Sequence, residues 1–265
     1  MATTCLIVIP ARYGSQRFPG KVLAPLAGKP VLQWCWEAAV KARLGKVLIA
    51  TEHTKVLEFA RSMGACAVLT SPGCQSGTDR VFEASRSSRA DFILNVQGDE
   101  PFMTAAILKK ALGKLKASPS CEIGTACTRI TSEAEIRDPN CVKVAMNSEG
   151  RALYFSRAPI PFHHELSPLR DRPWHRHCGF YIYRRGAIEK FVRLRPSPLE
   201  RLERLEQLRA LEAGMGIAVA EVTATGPAID VPADLRAAER YLKARRQEAG
   251  GPGPRSRRPF RDYAR

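Results

Sequence analysis

The chain has 265 residues, 45% of them hydrophobic and 26% charged, with a formal net charge of +16. That length buries enough apolar surface to fold without disulfide or metal staples, and no apolar run reaches the ~18–20 residues that span a bilayer. The charge invites a nucleic-acid reading, but eight basic and two acidic side chains of the balance lie in residues 243–265, and no aromatic-basic repeat forms a single-strand platform, so nucleic acid is not the expected partner.

Taken in chain order, the first half alternates. "CLIVIP" (5–10) predicts a strand, and the basic Gly/Pro loop "PARYGSQRFPGKVL" (10–23) follows it. No basic segment precedes that first apolar run, so no secretory leader is read and a cytoplasmic location is expected. "VLQWCWEAAVKA" (31–42) repeats apolar residues at helical spacing, "KVLIAT" (46–51) is a strand, and "HTKVLEFARSMG" (53–64) is a helix closed by glycine. A short strand at 66–70, a helix at 77–88, the strand "FILNV" (92–96) and a helix at 104–117 continue the pattern. Continuous apolar strands separated by helices predict an α/β fold with a mostly parallel central sheet covered on both faces.

The texture changes after residue 121. Strand-like runs at 122–130, 141–147, 152–157 and 178–184 have few helices between them, which predicts antiparallel additions or a smaller lobe around 122–190. Residues 196–214 read as one helix with a proline start and a glycine stop. A strand at 217–222 and a helix at 232–246 close a single domain spanning 1–246, and the Gly/Pro/Arg-rich residues 247–265 are expected to be a disordered, solvated tail. Eight cysteines are scattered without CxxC or zinc spacing, so reduced, mostly buried thiols are expected.

Two stretches carry chemistry. The loop 10–23 holds Arg12, Arg17 and Lys21 among glycines and prolines. Such a loop brings backbone N–H groups and cations to an anion, although it matches neither the GxxxxGK[ST] nor the GxGxxG pattern. "NVQGDEP" (95–101) places two carboxylates at the carboxyl end of a buried strand, where they need a positive partner. In open α/β sheets that end of the strands is where ligands bind.

Together with "QSGTDR", "ALYFSR", "HCGFYIYR", "LEQLR" and "IDVPADL", in that order over about residues 4–242, these motifs resemble the 3-deoxy-manno-octulosonate (Kdo) cytidylyltransferases, or CMP-Kdo synthetases. The resemblance implies a nucleotide-diphospho-sugar transferase (Rossmann-like) fold and usually a homodimer. It implies the reaction CTP plus Kdo to CMP-Kdo plus pyrophosphate with Mg2+, serving lipopolysaccharide or related Kdo-containing glycans. Its metal ligands map to Asp99 and Asp230, and Arg12, Arg17 and Lys21 map to the triphosphate. Ala11 and the loop residues Ser76, Gly77 and Arg80 are expected at the cytosine edge. Ser76 reads equally well as the N-cap of the next helix. Arg157 is the expected cation for the sugar carboxylate, with Gln97, His177, Tyr181, Glu206 and Gln207 around the hydroxyls. His177 and Tyr181, four apart on one strand, are expected on one face. His53, His163, His164 and His175 are left outside the site.

Three letters depart from the family pattern: Glu52 where aspartate is common, and Ala228 and Val231 where glycine and threonine are common. Val231 cannot cap the helix begun by Pro232, and the longer Glu52 arm is expected to displace a carboxylate near the nucleotide. The same chemistry on an amino-Kdo or a sialic acid is the nearest alternative. A basic nucleic-acid-binding protein is the more distant one.

Overall fold

The computed structural model describes residues 3–15, 17–162, 174–223 and 226–250. Most of the expected tail, and His163 and His164, lie outside the described residues.

The first strand, β1 (Cys5–Pro10), is buried along its whole length. After the basic loop and a 3-10 turn at Lys21–Leu23 come the two-residue strands β2 (Pro25–Leu26) and β3 (Lys29–Pro30), paired antiparallel. Then α1 (Val31–Ala42), β4 (Lys46–Thr51), α2 (Thr54–Ser62), β5 (Cys66–Leu69), α3 (Gly77–Ser85), β6 (Phe92–Asn95) and α4 (Ala105–Lys116) alternate as the periodicity predicts. The second half runs β7 (Ile123–Arg129), α5 (Glu133–Arg137), β8 (Lys143–Met146), β9 (Ala152–Ser156), β10 (His175–Arg184), α6 (Arg185–Arg193), α7 (Pro198–Glu203), α8 (Gln207–Glu212), β11 (Ile217–Val222) and α9 (Pro232–Gly250).

The main sheet is ordered β11-β7-β10-β6-β1-β4-β5, with β8 and β9 added beside β10. β6, β1, β4 and β5 pair in parallel, as do β7 and β11. β10 runs antiparallel to β6, β7 and β8. The fold is therefore mixed α/β with a mostly parallel sheet and antiparallel additions. The chain order reverses at β1, from which β4 and β5 extend one way and β6 the other. The loops after β1 and β6 thus open on one crevice, the position where such sheets bind ligands.

Period-two alternation splits the core between the two sheet faces. Ile7 and Ile9 face Leu32, Val56 and Leu108 from α1, α2 and α4. Leu6 and Val8 face Val81, Ile188 and Leu208 from α3, α6 and α8. All of these are buried, each contributing about 1.5–3 kcal/mol of apolar transfer. Six of the eight cysteines join this interior, whereas Cys66 is exposed and Cys74 half-buried; all are free thiols.

Two expectations about helices change. The span 196–214 is not one helix: it breaks at Arg204, whose φ of 54° is left-handed, and restarts as α8. The break turns Leu205 and Gln207 inward, both nearly fully buried, which a straight helix with charges on every turn could not do. The last helix continues beyond residue 246 to Gly250, four residues into the expected tail. Val231 indeed supplies no cap, but Asp234 reaches back and accepts from the N–H groups of Asp230 at 2.8 Å and Val231 at 2.9 Å. A carboxylate at the third helical position thereby forms one half of a capping box, the half that bonds the cap residue's own N–H; the half a threonine would supply is absent.

Candidate active site

The crevice beyond β1 and β6 is a cleft of about 900 Å3. Arg12, Arg17 and Lys21 from the basic loop line it together with Gly77, Gln97 and Asp99. Pro139, Asn140, Arg157 and Arg204 belong to the lining as well. Seven residues expected from the sequence in different roles thus meet in one space. Asn140 and Arg204 were not foreseen, because each is a lone polar residue between elements and carries no pattern.

The loop that carries the cations is fixed locally. Gly20 is left-handed, with Tyr13 packed beside it, and its N–H donates to Tyr13 O at 2.8 Å. The Tyr13 ring stacks on His53 at 4.1 Å between centroids. Its backbone N–H donates to Glu52 Oε1 at 2.9 Å. Gly98, in the opposite loop, allows that loop to approach β1: a Cβ there would stand 2.9 Å from Pro10 O.

Charge is distributed unevenly. Lys21 contacts Asp99 and lies 3.3 Å from Asp230 Oδ1 and 3.1 Å from Ile229 O. Burial pulls the Lys21 ammonium down, but Asp99 and Asp230 more than reverse this and hold it above the usual lysine range. Arg17 pairs with Asp230 at 3.1 Å. Asp99 and Asp230, one from the β6 loop and one from the segment before α9, therefore converge on a single cation. Their hard oxygens at one point are a donor set suited to a divalent ion that also binds phosphate. Arg12 Nη2 is buried without a hydrogen-bond partner among the described residues. An unmatched guanidinium N–H at the mouth of a cleft fits an incoming anion.

Glu100 turns away from the cleft under Gly179, where any side chain would collide with its carboxylate. Burial, then the neighbouring Asp99, push its carboxyl up to about 7.

The expected base-reading residues sit at the start of α3. Ser76 accepts from Asp79 N–H at 3.1 Å while Asp79 accepts from Ser76 N–H at 2.9 Å, a complete capping box. Arg80 is 2% exposed, 3.1 Å from Glu52 Oε2 and hydrogen-bonded to Thr70. Glu52, the departure from the family pattern, thus reaches Arg80 and the basic loop at once. Ala11 is buried and its N–H is committed to Ala50 O at 2.8 Å.

His177, Tyr181, Glu206 and Gln207 are not among the residues that line the cleft. His177 and Tyr181 share a face, rings 5.4 Å apart, although β10 shifts register against β7 between Cys178 and Ile182. His177 Nε2 is 2.9 Å from Thr125 Oγ1, and burial lowers its pKa to about 3. Burial, with Tyr183 and Glu206 nearby, raises the Tyr181 phenol well above its usual range. Glu206 accepts from Thr78 Oγ1 at 3.0 Å, and burial raises its carboxyl. Gln97 reaches the same network, donating to Asn95 Oδ1 at 3.2 Å, while Asn95 Nδ2 is 3.4 Å from Thr78 Oγ1. β6 ends at Asn95, so Gln97 and Asp99 share the cleft through the turn that follows and not through strand parity.

The chain matches the Cytidylyltransferase family over residues 6–217. It is 48% identical over 239 residues to the 3-deoxy-manno-octulosonate cytidylyltransferase of Elusimicrobium minutum, covering 90% of this chain and 98% of that one. Identity to the protein of the same name from Acidobacterium capsulatum is 45% over 241 residues, covering 91% and 97%. A solved structure of CMP:2-keto-3-deoxy-manno-octonic acid synthetase complexed with CTP superposes with a TM-score of 0.86 at 37% identity, covering 92% of this chain and all of that one. With these likenesses spread over nearly the whole described fold, the chain belongs to the 3-deoxy-manno-octulosonate cytidylyltransferase family.

Proposed function

We propose that the protein transfers CMP from CTP to Kdo, releasing pyrophosphate, with Mg2+ as cofactor and as a cytoplasmic homodimer. One observation carries the reading: Arg12, Arg17 and Lys21 line a single cleft together with Asp99 and Arg157, and Asp99 and Asp230 converge on Lys21 there. The relatives named above carry that activity in their names, and the CTP-bound synthetase shares the fold.

The anomeric hydroxyl of the sugar attacks the α-phosphorus. A new O–P bond forms, the bond to the α–β bridging oxygen breaks, the hydroxyl proton leaves to water and pyrophosphate departs. Such a transfer is governed by positioning and by neutralising charge on the phosphates. Arg12 and Arg17 hold the β and γ phosphates, and Lys21 meets the growing charge on the leaving oxygen. Ala11, Ser76, Gly77 and Arg80 frame the cytosine, with Arg80 acting from below through the loop it braces. Arg157 and Gln97 face the sugar, while His177, Tyr181, Glu206 and Gln207 support the floor beneath it. Asp99 and Asp230 would hold Mg2+, which when bound offsets phosphate charge and acidifies the attacking hydroxyl.

The test is direct. The protein is incubated with each of the four NTPs, Mg2+ and Kdo, and pyrophosphate is followed. Release that requires both CTP and Kdo is expected. Turnover only with another acidic sugar moves the acceptor assignment, and no turnover with any acidic sugar ends the proposal.

A further inference from the structure

Glu52 and His53, in the turn between β4 and α2, both meet the basic loop at Tyr13. Arg12 and Gly14, on either side of Tyr13, line the cleft, whereas Tyr13 and His53 do not. Each group of Tyr13 is engaged on the protein side. Its N–H donates to Glu52 Oε1 at 2.9 Å. Its carbonyl accepts from Ser15 N–H at 3.0 Å and from Gly20 N–H at 2.8 Å, which closes the loop on itself. Its ring lies against Gly20, where a Cβ would stand 3.3 Å from Cε2, and stacks on the His53 imidazole with 26° between the planes.

The loop cations are held unequally. Arg17 and Lys21 are paired with Asp230 and Asp99. Phe18 gives the second half of the loop its own hold, packed on the cluster of Leu26, Phe102 and Ile229. Arg12 Nη2 is buried without a hydrogen-bond partner among the described residues. The aim of that guanidinium is therefore set by the backbone beside it, and Tyr13 fixes this backbone.

His53 does two separable things. Its Nδ1 accepts from Lys55 N–H at 3.2 Å and so caps α2. Its ring carries Tyr13. Capping needs only an acceptor on a short side chain, as serine has. Stacking needs only a flat ring, as phenylalanine has.

We propose that His53 is a positioning residue for nucleotide binding: its ring, stacked on Tyr13, holds the first half of the basic loop so that Arg12 is aimed at the triphosphate. The inference rests on the proposed function for the identity of the loop's ligand. His53 touches no substrate and acts through Tyr13. Without the stack the loop keeps its hydrogen bonds but gains freedom that CTP must remove on binding.

Two variants separate ring from cap. His53→Ser keeps an N-cap acceptor and deletes the ring; His53→Phe keeps the ring and deletes the acceptor. CTP affinity is read by titration calorimetry with Mg2+ and no sugar, KM values by pyrophosphate release, and stability by thermal melting. In His53→Ser the Kd and KM for CTP are expected to rise about three- to tenfold, the worth of one stacked pair, with the KM for Kdo and the melt little changed. In His53→Phe, CTP binding is expected to stay near the wild-type value while the melting temperature falls about 2–4 °C through the lost cap. A His53→Ser variant that binds CTP like the wild type overturns the inference. So does a His53→Phe variant as weak as His53→Ser, or an equal rise of both KM values in His53→Ser. Should His53→Ser melt well below the wild type, Tyr13→Leu removes the same stack from the other side and is judged by the same criteria. Wild-type CTP binding without turnover of any acidic sugar overturns the proposed function and leaves the calorimetric comparison to decide this inference. A wild type that does not bind CTP overturns both.

Discussion

The Lys21 ammonium lies 3.3 Å from Asp230 Oδ1, across 209 positions of sequence, and touches Asp99 at the same time. Lys21 thereby bridges two carboxylates that would otherwise repel each other, and Arg17 adds a second cation on Asp230.

Replacing Asp99 with asparagine keeps the shape and removes that charge. Turnover is expected to fall at least about a hundredfold, the scale of losing one electrostatic contact to the transferring group, with the thermal melt little changed. Pyrophosphate release and circular dichroism check the two halves. A near-normal rate removes Asp99 from the reacting centre.

Glu52 joins the basic loop to Arg80, one oxygen on Tyr13 N–H and the other on the buried guanidinium. Glu52→Gln leaves Arg80 charged and unpaired at 2% exposure. The expected cost is about 3 kcal/mol in urea unfolding, in the range for breaking a buried pair, with a raised KM for CTP as the loop loosens. A stability loss without any change in KM separates the brace from the nucleotide site.

The arrangement of strands was legible because both sheet faces are covered, which makes β1, β4 and β6 nearly unbroken apolar runs. What escaped was short or unpatterned. Helix α6 begins directly after β10 and shows only Ala187, Ile188 and Phe191 as its buried set. The break at Arg204 depends on inward packing of Leu205, which no local residue signals. In the cleft, charges flanked by glycine and proline announced themselves, as Lys21 and Asp99 did. The pairing of Arg80 with Glu52 is a tertiary fact: both are expected near the nucleotide, but nothing local in the sequence joins them.

His177 is held neutral, its pKa lowered to about 3 by burial. Below the ordinary value near 6.5 the unfolded chain takes a proton that the folded chain refuses. Stability from this residue is therefore complete above pH 6.5 and is lost as pH falls towards 3, by at most about 1.4 kcal/mol per pH unit. Urea midpoints between pH 8 and pH 4 are expected to fall less steeply in His177→Phe than in the wild type. Parallel curves refute the assignment.

Truncation after Gly250, the last residue of α9, is expected to leave kcat/KM for both substrates within about twofold. A larger drop makes residues 251–265 part of the working enzyme.

β10 lies between strands from the two halves of the chain, bonded to β6 and β8 along one edge and to β7 along the other. The change of texture near residue 121 is therefore not a seam at which the polypeptide can be divided. A fragment ending there would leave the β6 edge bare, with Phe92, Ile93 and Leu94 beside unpaired backbone, and such an edge recruits neighbouring chains. Expressed alone it should precipitate, and co-expression with the remainder should rescue it by restoring the missing strand.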